Sequence, residues 1–178
     1  MDRDGVLNEY LPNAYVTSPT VLRVLQGVSG AIKALNQKNI PVFIISNQQG
    51  VGKGIMNEVD LKRVDDHLKS ALMKESGASI TESYYCCALS SENSPLRKPA
   101  PGMLMLASQN HNVDLGRSVL IGDSPTDIAA GIAAGVRSTV LVLTGATRPD
   151  SAEHCVPKPT CVCNSMLDAV DMILRGEI

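Results

Sequence analysis

Two aspartates lie near the N-terminus, separated by one residue. Asp2 and Asp4 flank Arg3, and Gly5 follows them. Residues two apart on an extended strand face the same side, so the two carboxylates can act on one substrate. One can attack phosphorus and form an aspartyl-phosphate, while the other donates a proton to the leaving oxygen and later accepts one from water. Taken alone, the pair is better explained as a solvated acidic N-terminus.

A second carboxylate pair has the pattern Gly122-Asp123-x-x-x-Asp127 and follows an apolar segment. Magnesium prefers oxygen ligands and is usually held by one or two carboxylates together with substrate phosphate. Asp123 is therefore a candidate metal ligand. Asp127 lies one helical turn later and can support the site from behind. A helix-capping acid with a surface acid nearby explains the pattern equally well.

Two polar groups could hold a phosphoryl group. Ser46–Asn47 ends an apolar run and precedes a glycine-rich turn, where hydroxyl, amide and backbone N–H groups can bind phosphate oxygens. Arg97–Lys98 places a planar guanidinium beside a compact ammonium. A glycine-shaped loop and a solvated basic turn are the simpler readings of these two groups. The run Gly50–Gly54 is not a nucleotide P-loop, because Gly54 replaces the Ser or Thr that serves magnesium.

The segments that must position these residues alternate between helical and extended patterns. Helical spacing is shown by Val28, Ala31, Ile32 and Leu35, by Leu61, Val64, Leu68 and Leu72, and by Leu167, Val170 and Leu174. Further helices are expected from near Pro101–Gly102, and from Pro125 to near Gly135. Strands are expected at Ile40–Ser46, within Ile80–Leu89, at Ser118–Ile121 and at Thr139–Leu143.

This alternation predicts an α/β fold with a parallel sheet covered by helices on both faces. The site of such a sheet lies beyond the carboxyl ends of its strands. Ser46–Asn47, Lys98 and Asp123 all follow predicted strands, so we expect them to meet there. Without internal repeats or linkers, residues 1–178 are expected to form one domain.

Composition excludes several function classes. The 178 residues carry a formal net charge of -2, so no basic excess favours nucleic acid. No apolar run of about 18 residues could span a bilayer, and the N-terminus does not resemble a secretory signal. The five Cys residues lack framework spacing, which indicates reduced thiols in the cytoplasm. We expect a monomer that acts on a small phosphorylated metabolite.

Taken together and in order, the four groups resemble the signature motifs of the haloacid dehalogenase (HAD) superfamily. The similarity is closest to the branch of D-glycero-D-manno-heptose 1,7-bisphosphate and histidinol phosphatases. It lies in four runs that cover nearly the whole chain: Asp2–Asn8, Ser46–Gly54, Arg97–Met103 and Gly122–Asp127. The resemblance implies a three-layer Rossmann-like fold. The short gap between the first two motifs indicates that there is no large cap domain.

The resemblance also implies residue roles and a reaction. Asp2 would be the nucleophile and a magnesium ligand. Asp4 would be the general acid/base and give its backbone carbonyl to the metal, and Asp123 would complete the metal site. Ser46 and Lys98 would hold the phosphoryl group, and the substrate contacts would be Arg3, Asn47, Gln48, Gln49 and Arg97. The implied function is magnesium-dependent hydrolysis of a small sugar phosphate in carbohydrate metabolism. Histidinol-phosphate hydrolysis is the alternative within enzymes, and a catalytically inactive binding protein is the alternative of another class.

One departure from the branch concerns its zinc loop. Cys86 matches the first ligand, but Ala88, Ser94 and Leu96 replace the other three. One ligand of four cannot form a structural tetrahedral site, so zinc is not expected.

Two further departures lie near the motifs. The branch has an apolar strand before the first aspartate, whereas only Met1 precedes Asp2 here. We therefore expect the first strand to be missing or truncated and Asp2 to be poorly held. Ser124 follows Asp123 where relatives often carry a Lys or Arg that contacts substrate, which indicates a different specificity.

Overall fold

The computed structural model, which describes residues 1–178, has a centre of parallel strands covered by helices. The strands are β1 (Phe43–Asn47), β2 (Glu82–Cys86), β3 (Val119–Gly122), β4 (Ser138–Val142) and β5 (Cys161–Cys163). The helices are α1 (Val28–Gln37), α2 (Gln49–Gly52), α3 (Glu58–Ser76), α4 (Gly102–His111), α5 (Pro125–Ala134), α6 (Pro149–Ala152) and α7 (Met166–Arg175). Short 3-10 turns occupy Ser90–Glu92 and Leu115–Arg117. No helix combines the length and apolar character needed to cross a bilayer.

The α/β class and the parallel sheet are confirmed. β1 pairs with β2, and β3, β4 and β5 pair in that order, all in parallel. Every helix and strand expected from periodicity is present. β5 was not predicted, because three residues are too short to show a period, and neither were the four-residue helices α2 and α6. Residues 9–27, between the first two motifs, contain no helix or strand, so no cap domain is inserted there.

Neighbouring residues on one strand belong to different apolar clusters, which defines three layers. Ile44 packs in a cluster that includes residues of α1, α3 and α7, whereas Ile45 packs with residues of α4 and α5. Leu120 and Ile121 divide between the same two clusters. Since successive strand residues face opposite sides, helices cover both faces of the sheet.

The N-terminal residues lie between the two groups of paired strands. The Met1 ammonium donates to the Phe43 carbonyl at 2.8 Å, and the Ile45 N–H donates to the Met1 carbonyl at 2.9 Å. On the other side, the Asp2 N–H donates to the Ile121 carbonyl at 2.9 Å. Residues 1–2 thus join β1 to β3, although no strand is assigned to them. Contrary to our expectation, the backbone of Asp2 is held in place.

Helix α5 begins directly beneath the expected metal site, and its sequence explains where it starts. Ser124 is the N-cap, Pro125 follows at the first helical position, and Asp127 completes a capping box by accepting from the Ser124 N–H at 3.1 Å. Gly135, at φ 74°, ends the helix in the left-handed conformation. The capping box therefore fixes the Asp127 carboxylate near the carboxyl end of β3.

Candidate active site

A cavity of about 590 Å³ opens at the carboxyl ends of β1 and β3, as the parallel sheet predicts. Eight of the ten residues expected at the site line it: Asp2, Asp4, Ser46, Asn47, Gln48, Gln49, Lys98 and Asp123. Arg3 and Arg97 do not. The four motifs, which are far apart in the chain, therefore meet at one place.

Three carboxylates form a cluster at the base of the cavity. One ligand oxygen from each of Asp2, Asp123 and Asp127 lies within 4.8 Å of the others. Burial, followed by the charges of Asp2 and Asp127, raises the pKa of Asp123 to about 7. Burial likewise raises the pKa of Asp127. This crowding of negative charge is what a divalent cation would relieve, so the donor set suits a hard metal ion such as magnesium.

Hydrogen bonding separates the candidate metal ligands from the supporting acid. Asp127 uses Oδ1 for the Lys98 ammonium and Oδ2 for the Ser124 hydroxyl, both at 2.5 Å. Asp2 Oδ1 accepts from the Arg3 N–H, and Asp123 Oδ2 accepts from the Ala146 N–H. Asp2 Oδ2 and Asp123 Oδ1 have no protein donor and are the carboxylate oxygens available to a metal or a phosphoryl group.

Lys98 lies buried among the carboxylates. Its ammonium is 3.0 Å from Asp2 Oδ1, and it donates to Asp127 Oδ1 and, at 2.7 Å, to the Ile45 carbonyl. Burial by itself would lower the pKa of Lys98, but the charges of Asp127 and Asp2 outweigh it and raise that pKa above its ordinary value. Lys98 is therefore a fixed cation beside the Asp2 carboxylate.

Asp4 is the most heavily hydrogen-bonded carboxylate of the site. Its Oδ2 accepts from Arg3 Nη2 at 2.9 Å and from Gln48 Nε2 at 2.7 Å. Its Oδ1 accepts from Asn8 Nδ2 at 2.8 Å. The side chain is 27% exposed, so the carboxylate still reaches the cavity. These donors hold Asp4 in one orientation near Asp2.

Arg3 was expected to contact substrate, but it does not line the cavity. Its side chain is fully buried, its guanidinium also donates to Gln48 Oε1 at 3.0 Å, and its Cζ lies 5.8 Å from the ring centroid of Tyr85. The guanidinium thus lies behind Asp4 and away from the cavity. The substrate contact was implied by the resemblance alone, whereas a residue between Asp2 and Asp4 on an extended segment faces the opposite side.

Hydrogen bonds of Asn47 connect the second motif to the third. Its Nδ2 donates to the Lys98 carbonyl at 2.9 Å, and its Oδ1 accepts from the Lys98 N–H at 3.0 Å. This reciprocal pair fixes the backbone of Lys98 to the end of β1. Ser46 is buried next to it, and its hydroxyl accepts from Gln48 Nε2 at 3.1 Å.

Arg97 lies beside the cavity without lining it. Its Nη1 donates to the Ala88 carbonyl at 3.0 Å, and its Nη2 donates to Gln49 Oε1 at 3.4 Å. Gln49 lines the cavity, so Arg97 contacts the site through that amide.

A loop after β4 also contributes to the site, and sequence reasoning missed it. The Ala146 N–H donates to Asp123 Oδ2 at 2.6 Å, and the Thr144 hydroxyl donates to the Gly5 carbonyl at 2.5 Å. Gly145 lies so close to the Asp123 carboxylate that a Cβ atom there would overlap it. The available signal was a Thr-Gly-Ala run directly after a predicted strand.

The loop after Asn8 forms the outer wall of the cavity. The residues that line this wall are Tyr10, Leu11, Asn13, Ala14, Tyr15 and Val16, together with Lys53 and Ile55. Without a large cap domain, this loop was expected to shape the site, but its irregular sequence has no periodicity from which the individual residues could be predicted.

The degenerate zinc loop forms no ligand set around Cys86. The Cys86 thiol lies 3.9 Å from the Ser94 hydroxyl, which occupies a position that relatives fill with Cys. All five cysteines are free thiols. That the chain binds no zinc stays a prediction.

Three comparisons with known proteins agree. A family model described as HAD-hydrolase-like matches residues 95–169. A D-glycero-alpha-D-manno-heptose-1,7-bisphosphate 7-phosphatase of Burkholderia mallei is 37% identical over 152 residues, covering 80% of this chain and 77% of that protein. A D-glycero-beta-D-manno-heptose-1,7-bisphosphate 7-phosphatase of Bordetella bronchiseptica is 31% identical over 176 residues, covering 98% and 96%.

The solved structures give the same result. The crystal structure of D,D-heptose 1,7-bisphosphate phosphatase from B. bronchiseptica, complexed with magnesium and phosphate, superposes with a TM-score of 0.90. It is 31% identical and covers 98% of this chain and 96% of that one. An HAD-like phosphatase from Mesorhizobium loti superposes with a TM-score of 0.77 at 26% identity, covering 97% and 84%.

Proposed function

This chain is a phosphatase of the haloacid dehalogenase superfamily, in its heptose bisphosphate phosphatase branch, and we propose that it removes one phosphate from D-glycero-D-manno-heptose 1,7-bisphosphate with the help of magnesium. One observation carries the proposal. The Asp2 carboxylate has Lys98 on one oxygen and no protein donor on the other, and it shares the cavity with Asp4 and Asp123. The three residues to which we assign the roles of nucleophile, acid/base and metal ligand line one cavity, which supports the proposal.

The first half of the reaction follows from the positions of Asp2 and Asp4. Asp2 Oδ2 attacks phosphorus, and the bond from phosphorus to the sugar oxygen breaks as the aspartyl-phosphate forms. Asp4 donates its proton to the departing oxygen, so the sugar leaves as an alcohol. Lys98 and Ser46 hold the oxygens of the transferring group, and the Lys98 ammonium offsets their charge.

The second half regenerates the enzyme. Asp4, now a carboxylate, accepts a proton from a water molecule as that water attacks phosphorus. The bond to Asp2 breaks, and inorganic phosphate leaves. Arg3, Asn8 and Gln48 keep Asp4 in one orientation through both halves.

Asp2, Asp123 and the backbone carbonyl of Asp4 would hold the magnesium ion. When bound, it supplies the positive charge that lets two carboxylates and a phosphate occupy one site. Asp127 stays engaged with Lys98 and Ser124, so we assign it to positioning Lys98 and not to the metal.

The setting of the reaction is part of the proposal. We infer that residues 1–178 act as one domain and as a monomer in the cytoplasm, on a small phosphorylated metabolite. The net charge of -2 supports a metabolite over nucleic acid as the partner.

The test is a phosphatase assay with magnesium on a panel containing heptose 1,7-bisphosphate, fructose 1,6-bisphosphate, fructose 6-phosphate and histidinol phosphate. We expect the heptose bisphosphate to be preferred and Asp2→Asn to abolish its hydrolysis. Asp150→Asn removes an exposed carboxylate outside the cavity and is the matched control. Preference for histidinol phosphate would overturn the proposed substrate, and a protein that binds the panel without hydrolysing it would be an inactive binding protein.

A further inference from the structure

Two cations line the cavity, and only one of them forms ion pairs with carboxylates. Lys98 is buried and paired with Asp2 and Asp127. Lys53 is exposed on the outer wall and has no carboxylate oxygen within 4.0 Å. A cation without an acidic partner, facing the cavity in which we propose that phosphate binds, is available to a second anion.

Lys53 is held by a tyrosine hydroxyl. Its Nζ donates to Tyr15 Oη at 2.9 Å and lies 5.5 Å from the centroid of that ring. Together these distances fit an ammonium that lies beyond the hydroxyl, at the edge of the ring, and not above its face. An ammonium has three N–H donors, so the remaining donors of Lys53 are free for a ligand.

The backbone under Lys53 is fixed to the phosphate-binding motif. Helix α2 starts two residues after Asn47, and Lys53 follows its last residue. The Lys53 N–H donates to the Gln49 carbonyl at 2.9 Å, and a Cβ atom on Gly50 would lie 3.1 Å from the Tyr15 ring. The turn and the Tyr15 segment therefore pack against each other, which gives Lys53 a defined place in the wall.

We propose that Lys53 and the Tyr15 hydroxyl bind a second, non-reacting phosphate of the substrate while Asp2 acts on the first. This inference rests on the proposed function and deepens it, because it names the residues that distinguish a bisphosphate from a monophosphate. A cavity of about 590 Å³ is within the size range of sites for whole small molecules, so it has room beyond the phosphoryl group. Lys98 is engaged with Asp2 and Asp127 and is assigned to the transferring phosphoryl group, so the second phosphate needs a cation of its own.

The test compares heptose 1,7-bisphosphate with heptose 7-phosphate, which differ only in the second phosphate. The readout is the ratio of the two kcat/KM values. We expect Lys53→Met to lower this ratio about tenfold, mainly through the KM of the bisphosphate. Lys53→Arg should restore most of the ratio, and Tyr15→Phe should lower it less. Lys33→Met, which removes an exposed lysine of α1, is the matched control.

A wild-type protein that uses both sugars equally well would overturn the second-phosphate site and leave the phosphatase proposal standing. So would a Lys53→Met variant that loses the same factor on both substrates, since this indicates a general structural role. If the wild type hydrolyses neither sugar, the proposed substrate fails, and calorimetry with fructose 1,6-bisphosphate and fructose 6-phosphate decides about Lys53. Tighter binding of the bisphosphate that is lost in Lys53→Met supports the site; equal binding of the two ligands overturns it.

Discussion

Nη2 of Arg3 lies 2.9 Å from Oδ2 of Asp4, and the arginine side chain is fully buried behind the carboxylate. Asp4 therefore faces the cavity with its orientation set by a guanidinium that solvent does not reach. Catalysis is sensitive to small displacements of such a group, since about 1 Å can cost about 10²-fold in rate.

Replacing Arg3 by Met should leave Asp4 with the Asn8 and Gln48 amides alone. We expect kcat to fall about 10²-fold with a smaller change in KM. Because Asp4 is only partly exposed and loses its cationic partner, the free energy of unfolding should fall by about 3 kcal/mol. Steady-state kinetics and urea unfolding measure the two effects.

The control is Arg175→Met, which breaks an exposed ion pair with Asp171 and should cost at most about 1 kcal/mol. An Arg3→Met enzyme with unchanged kcat would show that Arg3 does not position Asp4.

Asp127→Asn tests the acid that holds Lys98. The substitution removes the charge that keeps the ammonium beside Asp2, so kcat should fall about 10²-fold. Asp168→Asn in α7 is a close match, because Asp168 occupies the same capping-box position after Ser165. That control should lose about 1 kcal/mol of stability and keep its kcat. Equal kcat values for the two variants would contradict a role for Asp127 beyond helix capping.

The pKa of Asp123 gives a pH dependence of stability without metal. Its folded pKa of about 7 lies above the ordinary value of 3.8, so between these values the folded state binds the proton more strongly. Stability contributed by Asp123 is therefore present at low pH and is lost as pH rises towards 7. Thermal unfolding in chelator across this window should show a decline that Asp123→Asn removes.

The other titrating groups are common to both proteins, so the difference between wild type and Asp123→Asn isolates the Asp123 carboxylate. Added magnesium should also flatten the decline, since it favours the ionised form of Asp123. A pH profile that is identical in wild type and variant would contradict the raised pKa.

Gly145→Ala tests the loop behind the metal site. A Cβ atom there overlaps the Asp123 carboxylate, so either the loop or the ligand must move. We expect weaker magnesium binding, so that the half-maximal rate requires a higher magnesium concentration, and a lower kcat. Magnesium titration of the rate measures both. Gly30→Ala in α1 places its Cβ in open space and should stabilise the protein by about 0.5–1 kcal/mol without changing the titration. Similar behaviour of the two variants would contradict the loop's role.

The sequence predicted the location of the site because apolar runs fix strands and the carboxyl ends of parallel strands meet at one edge. Ser46, Lys98 and Asp123 were placed together on this basis. Arg3 was expected at the substrate from the resemblance alone, although alternation places it on the side opposite to Asp2 and Asp4, where it is buried. The Ala146 N–H could not be identified from its residue type, because every residue except proline carries the same donor. β5 was missed because three residues show no pattern.

Residues 1–2 have a further consequence, since the segment that carries the nucleophile is also the hydrogen-bonded join between β1 and β3. An opening fluctuation that separates these two strands displaces Asp2 before the rest of the fold is lost. The hydrogen-exchange rate of the Asp2 amide therefore measures how often the nucleophile is displaced while the rest of the protein remains folded. Because this local opening costs less free energy than global unfolding, heating should inactivate the enzyme at a lower temperature than it unfolds the protein.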